Sequence, residues 1–307
     1  MKVPLKFQDQ GPDVVELQKL LNRNAEAVTV DRIFGNETLA AVEDFQSTHT
    51  DSNGNPLVVD GVVGPLTRDS LLANAVEVSF AGFDIGVYPG DEIMTSWVTA
   101  SPYKWVGYYL TSPFHQDATF MGTRAKLEAL GWGLAVLYVG RQVSSKPENQ
   151  TRQRGLADGQ DTIQKVQGEG FAANTIVYLD IEHMDVVPSG IKEYLKGWIA
   201  SLLQSRFRPG IYCHIKNAQE LRVAVKEEYE AENSSLPLPA FWVAGSGAFD
   251  PANSVPSDSG IAFAAIWQGR LNHPETYGGF SRKIDANVAI SANPSAMASM
   301  LVAGGGA

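Results

Sequence analysis

The sequence predicts an α/β protein: a (β/α)8 TIM-like barrel preceded by a small all-α three-helix domain. Three observations carry this expectation. Residues 1–75 repeat apolar positions at helical spacing around two copies of one short motif. From about residue 80, eight short apolar runs alternate with amphipathic stretches, the pattern of strand–helix repeats around a parallel sheet. No glycine-rich phosphate fingerprint follows the first of these runs, which weighs against a doubly wound open sheet. The expected domains are residues 1–75 and 80–303.

In the small domain, Val14, Leu17, Leu20 and Leu21 fall on one helical face, with Asp13 as the expected N-cap. A second helix follows Asn36, with Leu39, Val42 and Phe45 on one face. A third, shorter helix starts near Pro65, a residue suited to a first helical turn. Between these helices lies an internal echo. Val30-Asp31-Arg32-Ile33-Phe34-Gly35-Asn36-Glu37-Thr38 is repeated as Val59-Asp60-Gly61-Val62-Val63-Gly64-Pro65-Leu66-Thr67. Each copy reads as a tight turn, an apolar plug, a glycine and a helix start. The glycines permit the turns and the threonines order the loops.

In the second domain, strands are expected at 82–86, 105–110, 133–140, 175–182, 209–214, 241–244, 264–268 and 283–288. Helical patterns lie at 91–99, 119–130, 158–170, 190–205 and 217–229, and the last connections look short or irregular. The polar, aperiodic stretch 141–156 is expected to be a long loop. The fourth strand is the most telling. Ile176, Val177, Tyr178, Leu179 and Ile181 make it a buried strand that ends in Asp180 and Glu182. Side chains two apart on a strand share a face, roughly 6.6 Å apart along the backbone. A buried carboxylate pair is costly unless bonded or functional, and two carboxylates in different environments are what glycosidic cleavage needs.

In a barrel, chemistry belongs at the C-terminal ends of the strands. There the sequence places Asp84, Asp180, Glu182, Tyr212 with His214, Trp242, Trp267 with Gln268, and Asp285. Aromatic faces suit sugar rings, and carboxylates accept hydrogen bonds from hydroxyls. Each residue alone has a plainer reading: an aspartate as a turn or helix cap, a tryptophan as core packing, His183 and His214 as hydrogen-bonding groups. The convergence of four acids favours a site. No His/Cys spacing calls for zinc, and neither a metal nor a cofactor is expected.

The chain of 307 residues carries 34 acidic against 24 basic side chains, a net charge of -10. That weighs against nucleic acid and anionic membrane surfaces as partners. Cys213 is the single cysteine, which excludes an internal disulfide; its apolar surroundings predict a buried structural thiol. No stretch has the length of a transmembrane helix, and the start lacks the apolar core of a secretory signal. The expectation is a soluble protein, cytoplasmic at synthesis, with a frayed tail at 303–307.

Residues 11–67 resemble the three-helix peptidoglycan-binding domain attached to many cell-wall hydrolases. The likeness rests on Gly11-Pro12-Asp13-Val14-Val15-Glu16-Leu17-Gln18, Leu21-Asn22, Phe34-Gly35 with Thr38, Ala41-Val42 with Phe45-Gln46, and the second copy of the echo. Arg32 departs from it, standing where the family usually has glycine. Residues 82–289 resemble a glycoside-hydrolase-like domain of formerly unknown function, related to the family-25 muramidases. Gly82-Phe83-Asp84, Leu179-Asp180-Ile181-Glu182, Pro209-Gly210-Ile211-Tyr212, Ile266-Trp267-Gln268 and Ile284-Asp285-Ala286-Asn287 occur in the family's order.

These resemblances imply a wall-directed glycan hydrolase that cleaves a β-1,4 bond next to an N-acetylated sugar, with peptidoglycan as partner. Glu182 is then the general acid, its pKa raised by partial burial and nearby carboxylates. Asp180 remains ionised and assists attack by the substrate's acetamido group. Asp84 and Asp285 position substrate and balance charge, while Tyr212, Trp242, Trp267 and Gln268 line the sugar groove. Such a protein would act outside the cell, reaching the wall as a phage-type lysin or by export without a cleaved signal. A barrel that only binds glycan is the second reading. An amidase or peptidase is disfavoured by the lack of a zinc-ligand set or a Cys–His pair.

Overall fold

A computed structural model describes residues 1–24, 26, 28–74, 79–144, 146–182 and 184–296. The domain junction expected at residue 75, His183 and the tail at 303–307 lie outside the described residues. The chain forms two compact units: Met1–Val78 with Val255–Phe263, and Ser79–Ser254 with Ala264–Ala307.

The first unit holds α1 (Pro12–Arg23), α2 (Asn36–Thr48) and α3 (Pro65–Asn74). Leu17, Leu21, Phe34, Val42, Phe45 and Leu71 build its core. The cap of α1 differs from expectation. Gly11 is the N-cap, Pro12 fills the first turn, and Asp13 sits inside that turn, where it accepts the backbone N–H of Lys2 at 2.8 Å. The proline's fixed φ starts the helix, so no side-chain cap is used.

The echo proves to be a repeated hydrogen-bonded clasp, centred on a glutamine that precedes each copy. Gln18 Nε2 donates to Asp31 Oδ1 (2.8 Å), the Ile33 carbonyl (3.1 Å) and Thr38 Oγ1 (3.1 Å). Its Oε1 accepts the N–H groups of Asp31 and Arg32. Gln46 does the same with Asp60, Val62 and Thr67, and accepts from Asp60 and Gly61. Each turn needs a left-handed residue after the aspartate: Gly61 has φ 67° and Arg32 has φ 72°. A non-glycine residue pays about 1–2 kcal/mol for that conformation.

The second unit is a closed eight-stranded barrel with strands in chain order. Its elements are β1 (Phe80–Asp84), α4 (Asp91–Ala100), β2 (Trp105–Leu110), α5 (Arg124–Leu130), β3 (Gly133–Val139), α6 (Arg152–Gly168) and β4 (Ile176–Ile181). Then follow α7 (Ser189–Leu203), β5 (Arg208–His214), α8 (Ile215–Ala231), β6 (Ala240–Ala244), β7 (Ala264–Tyr277) and β8 (Phe280–Ala289). Strands β1 to β7 pair in parallel, but β8 runs antiparallel to both β7 and β1. No helix separates β7 from β8. A two-glycine turn, Gly278 (φ 55°) and Gly279 (φ 83°), joins them as a hairpin. Below the mouth the interior is filled by rings, with Trp242 edge-on to Trp105 (5.5 Å) and Tyr178 (5.7 Å).

Part of the stretch expected as a loop is helical. Thr151 accepts the N–H of Arg154 and caps α6, which starts at Arg152. Its glycines bring α6 against α7: a Cβ on Gly155 would lie 2.0 Å from the Tyr194 carbonyl. Cys213 is buried within β5, as its neighbours suggest. Among the described residues, no helix is long and apolar enough to cross a membrane.

Candidate active site

The strand register brings the acids to one end of the barrel. Asp84 closes β1 and pairs across to Asp285 of β8; because β8 descends, Asp285 reaches mouth level from mid-strand. Asp180 is the penultimate residue of β4, opposite Tyr212 of β5, and Glu182 follows it two residues later. Charge interactions link Asp84 to both Asp285 and Asp180, and Asp180 to Glu182, so the four carboxylates share one site.

Asp84 is its buried centre. Oδ1 accepts the Tyr109 hydroxyl (2.8 Å), while Oδ2 accepts Gln268 Nε2 (2.8 Å) and Asn287 Nδ2 (2.8 Å). Burial and then Asp285 push its carboxyl up to about 7, against the pull of those three donors. Gln268 Oε1 in turn accepts the Tyr212 hydroxyl (2.6 Å), and Asn287 Oδ1 accepts Trp242 Nε1 (2.9 Å). Asp285 Oδ1 accepts the Asn272 N–H (2.6 Å), which offsets part of the rise that burial gives its carboxyl.

Asp180 is different in kind. It is 7% exposed and its Oδ1 is buried with no hydrogen-bond partner among the described residues. Desolvation, then Glu182 and Asp84, raise it well above the usual carboxylate range. Glu182 is exposed, and its backbone N–H is held by Gln142 Oε1 (2.8 Å). Gln142 Nε2 also donates to the carbonyls of Gly140 (3.1 Å) and Asp180 (3.0 Å), bracing the end of β4. The burial is therefore the reverse of the expected one: the enclosed acid is Asp180, and Glu182 is exposed.

The two tryptophans also differ from expectation. Trp242 points into the barrel core and is fully buried, anchoring Asn287. Trp267 is 2% exposed, donates to the Gly245 carbonyl (2.9 Å) and packs edge-on to Phe249. Neither offers a ring face to a sugar, because each is closed over by its own packing. Tyr212 is half-buried and Gln268 is buried within the acid network rather than along a groove. His214 caps α8 by accepting the Lys216 N–H (3.2 Å).

Sequence reasoning passed over Tyr109 and Gln142, and named Asn287 within the last-strand motif without giving it a role. Asn287 carried a readable signal, since it stands two residues after Asp285 on the same strand face. Tyr109 and Gln142 carried none beyond their place near a strand end. No group of acids, histidines and cysteine able to hold a metal ion occurs among the described residues. A separate cavity of about 460 Å³ opens at the opposite end of the barrel, against Ile176, Arg208 and Ala240, and is remote from this chemistry.

The sequence profile of the Rv2525c-like, glycoside hydrolase-like domain matches residues 95–289. That of a peptidoglycan binding domain matches residues 10–71. Among solved structures, the Clostridium perfringens spore cortex lytic enzyme SleM is similar at 14% identity and a TM-score of 0.51, covering 70% of this chain and 68% of that one. The Mycobacterium tuberculosis Tat-secreted protein Rv2525c, in complex with L-tartrate, is similar at 16% identity and a TM-score of 0.46, covering 69% and 94%. The modular autolysin LytC from Streptococcus pneumoniae is similar at 14% identity and a TM-score of 0.48, covering 78% and 49%. No curated protein matches the chain. At this identity the likeness to SleM speaks to the fold alone.

Proposed function

The chain belongs to the Rv2525c-like, glycoside hydrolase-like family, and from that premise we propose that it hydrolyses a cell-wall glycan, cutting a β-1,4 bond next to an N-acetylated sugar. The observation that carries the reading is the buried Oδ1 of Asp180, without a hydrogen-bond partner among the described residues, two residues before the exposed Glu182. A buried polar group without a partner is costly, and a substrate amide N–H is the partner that chemistry of this kind supplies. The peptidoglycan binding domain at residues 10–71 supports the wall as the place of action, outside the cell. Tethering there raises the local concentration of glycan at the barrel.

The mechanism follows from the two environments. In the free site, burial and the neighbouring carboxylates favour the protonated form of Asp180. A glycan chain lying over the mouth desolvates Glu182, which favours its neutral form, and offers an acetamido N–H to Asp180, which favours the carboxylate. The proton therefore passes from Asp180 to Glu182. Glu182 then protonates the leaving glycosidic oxygen while the acetamido oxygen attacks the anomeric carbon, forming an oxazolinium whose N–H is held by Asp180. The Glu182 carboxylate next takes a proton from water, which opens that ring and restores the sugar. Asp84, Asp285, Gln268 and Tyr212 hold the geometry and charge of the floor.

The test is release of reducing ends from purified peptidoglycan. Wild type is expected to release them and Glu182→Gln is not. Equal release by both removes Glu182 from the acid role; retention on walls with no release by either makes the barrel a glycan-binding module.

A further inference from the structure

A second unpaired polar atom lies beside the acid cluster. His115 sits between β2 and α5, its backbone fixed by two hydrogen bonds with Ser112: N–H to carbonyl at 3.2 Å and the reverse at 2.8 Å. Its ring packs against that of Tyr109, with centroids 5.0 Å apart and planes inclined by 39°. Tyr109 is the residue whose hydroxyl bonds Asp84. The ring also lies near the segment that follows β1, where a Cβ built on Gly86 would lie 3.7 Å from His115 Cε1. The imidazole thus neighbours both that segment and Tyr109 of β2. Nε2, the atom bonded to Cε1, is buried and has no hydrogen-bond partner among the described residues.

The chemistry of the ring narrows what can complete it. Burial holds the imidazole below its ordinary pKa, with Asp117 pulling the other way, which favours the neutral ring. A neutral ring presents Nε2 as a donor or as an acceptor, according to tautomer. A hydroxyl complements either, whereas a carboxylate only accepts and an ammonium only donates. The Asp117 carboxylate also disfavours an anionic group at this position.

We propose that His115 is a substrate-contacting residue of this site, its ring shifting on binding so that Nε2, closed off in the free site, takes a hydroxyl of the sugar ring that lies over Asp84. The inference rests on the hydrolase reading and extends the site to the loop after β2. It assigns that loop a share in choosing the sugar, because a hydroxyl placed wrongly would leave Nε2 buried and unpaired.

The experiment uses the full chain and a soluble tetrasaccharide of alternating N-acetylglucosamine and N-acetylmuramic acid. His115→Phe keeps the ring against Tyr109 and removes the nitrogen; His115→Gln restores a polar group near Nε2. The Phe variant is expected to raise KM about tenfold with kcat within about twofold, and the Gln variant to recover most of the loss. In Glu182→Gln protein, which leaves the sugar intact, the ring ¹⁵N resonances of His115 are expected to shift when the tetrasaccharide is added, a readout that needs no change at His115. Wild-type KM in the Phe variant, equal loss in the Gln and Phe variants, or unmoved ¹⁵N resonances with ligand bound each overturn the proposal. If wild type still cleaves and Glu182→Gln does not, the hydrolase reading survives that result; if wild type neither binds nor cleaves, both fall.

Discussion

Asp84 and Asp285 stand directly opposite each other in the antiparallel pairing of β1 and β8. Like charges in facing register oppose pairing, and here the strands close the barrel nonetheless. The conflict is met by a proton and by five donated hydrogen bonds, three to Asp84 and two to Asp285, from Gln268 and Asn272.

The folded chain therefore holds a proton at Asp84 up to about pH 7, which the unfolded chain releases above about pH 4. Stability should fall as pH rises through that interval, by at most about 1.4 kcal/mol per pH unit for one proton. Asp180 and Asp285, also raised, act in the same direction. In Asp285→Asn one raised group is gone and the repulsion on Asp84 with it, so the decline becomes shallower and ends at lower pH. Denaturant unfolding between pH 4 and 8 measures this. An unchanged decline would show that the two carboxyls do not interact.

Asp180→Asn separates function from stability. The amide fills the same volume without an ionisable proton, so at pH 8 the variant should be more stable than wild type, with the gain shrinking as pH falls into the free carboxylate range. Reducing-end release should be lost. A variant less stable than wild type at pH 8 would mean that Asp180 is not the strained group of the site.

Gln142→Ala should leave the fold standing and slow the reaction. It removes the bond to the Glu182 N–H and two bonds to carbonyls at the ends of β3 and β4. Loss of such bracing lets Glu182 wander, and a drop in kcat of about tenfold or more is expected, with KM little changed. Steady-state kinetics on the soluble tetrasaccharide decides it.

In the first unit, Gln46→Leu leaves Asp60, Gly61, Val62 and Thr67 without their shared partner. The cost should be about 3 kcal/mol. Arg32→Gly should instead stabilise by up to about 1 kcal/mol, relieving the left-handed arginine. Hydrogen exchange in α1 and α2 reports both, with opposite signs.

Most of the barrel was legible because its strands are short apolar runs bounded by glycine, proline and polar residues. Ile176–Ile181 is the clearest, and its two carboxylates pointed to the site. Three features were hidden for physical reasons. Strand direction leaves no trace in local period, so the reversal of β8 could not be read. Most of the outer part of β7, from Arg270 to Tyr277, is exposed and lacks an apolar stripe. Helix α6 begins in a polar stretch punctuated by Gly155 and Gly159, which local propensity reads as loop but which α7 requires for close approach. Burial order at the site was equally hidden. That Asp180 is enclosed and Glu182 exposed, and that Trp242 serves Asn287 rather than a sugar, depends on which neighbours close over each side chain.

The hairpin made by the descending last strand folds its tip onto α4: Tyr277 packs edge-on to Trp97 and Tyr103, and a Cβ on Gly278 would meet Ser96 Oγ. Beyond the register shifts between Gln268 and His273, the two strands pair without interruption to the turn, so a single residue added there would turn every side chain beyond it to the other face. The length of that arm can therefore change only in steps of two residues per strand, roughly 7 Å at a time. A helix that rests against it must accept the whole step or none, so the arm and α4 are tied to one another in size.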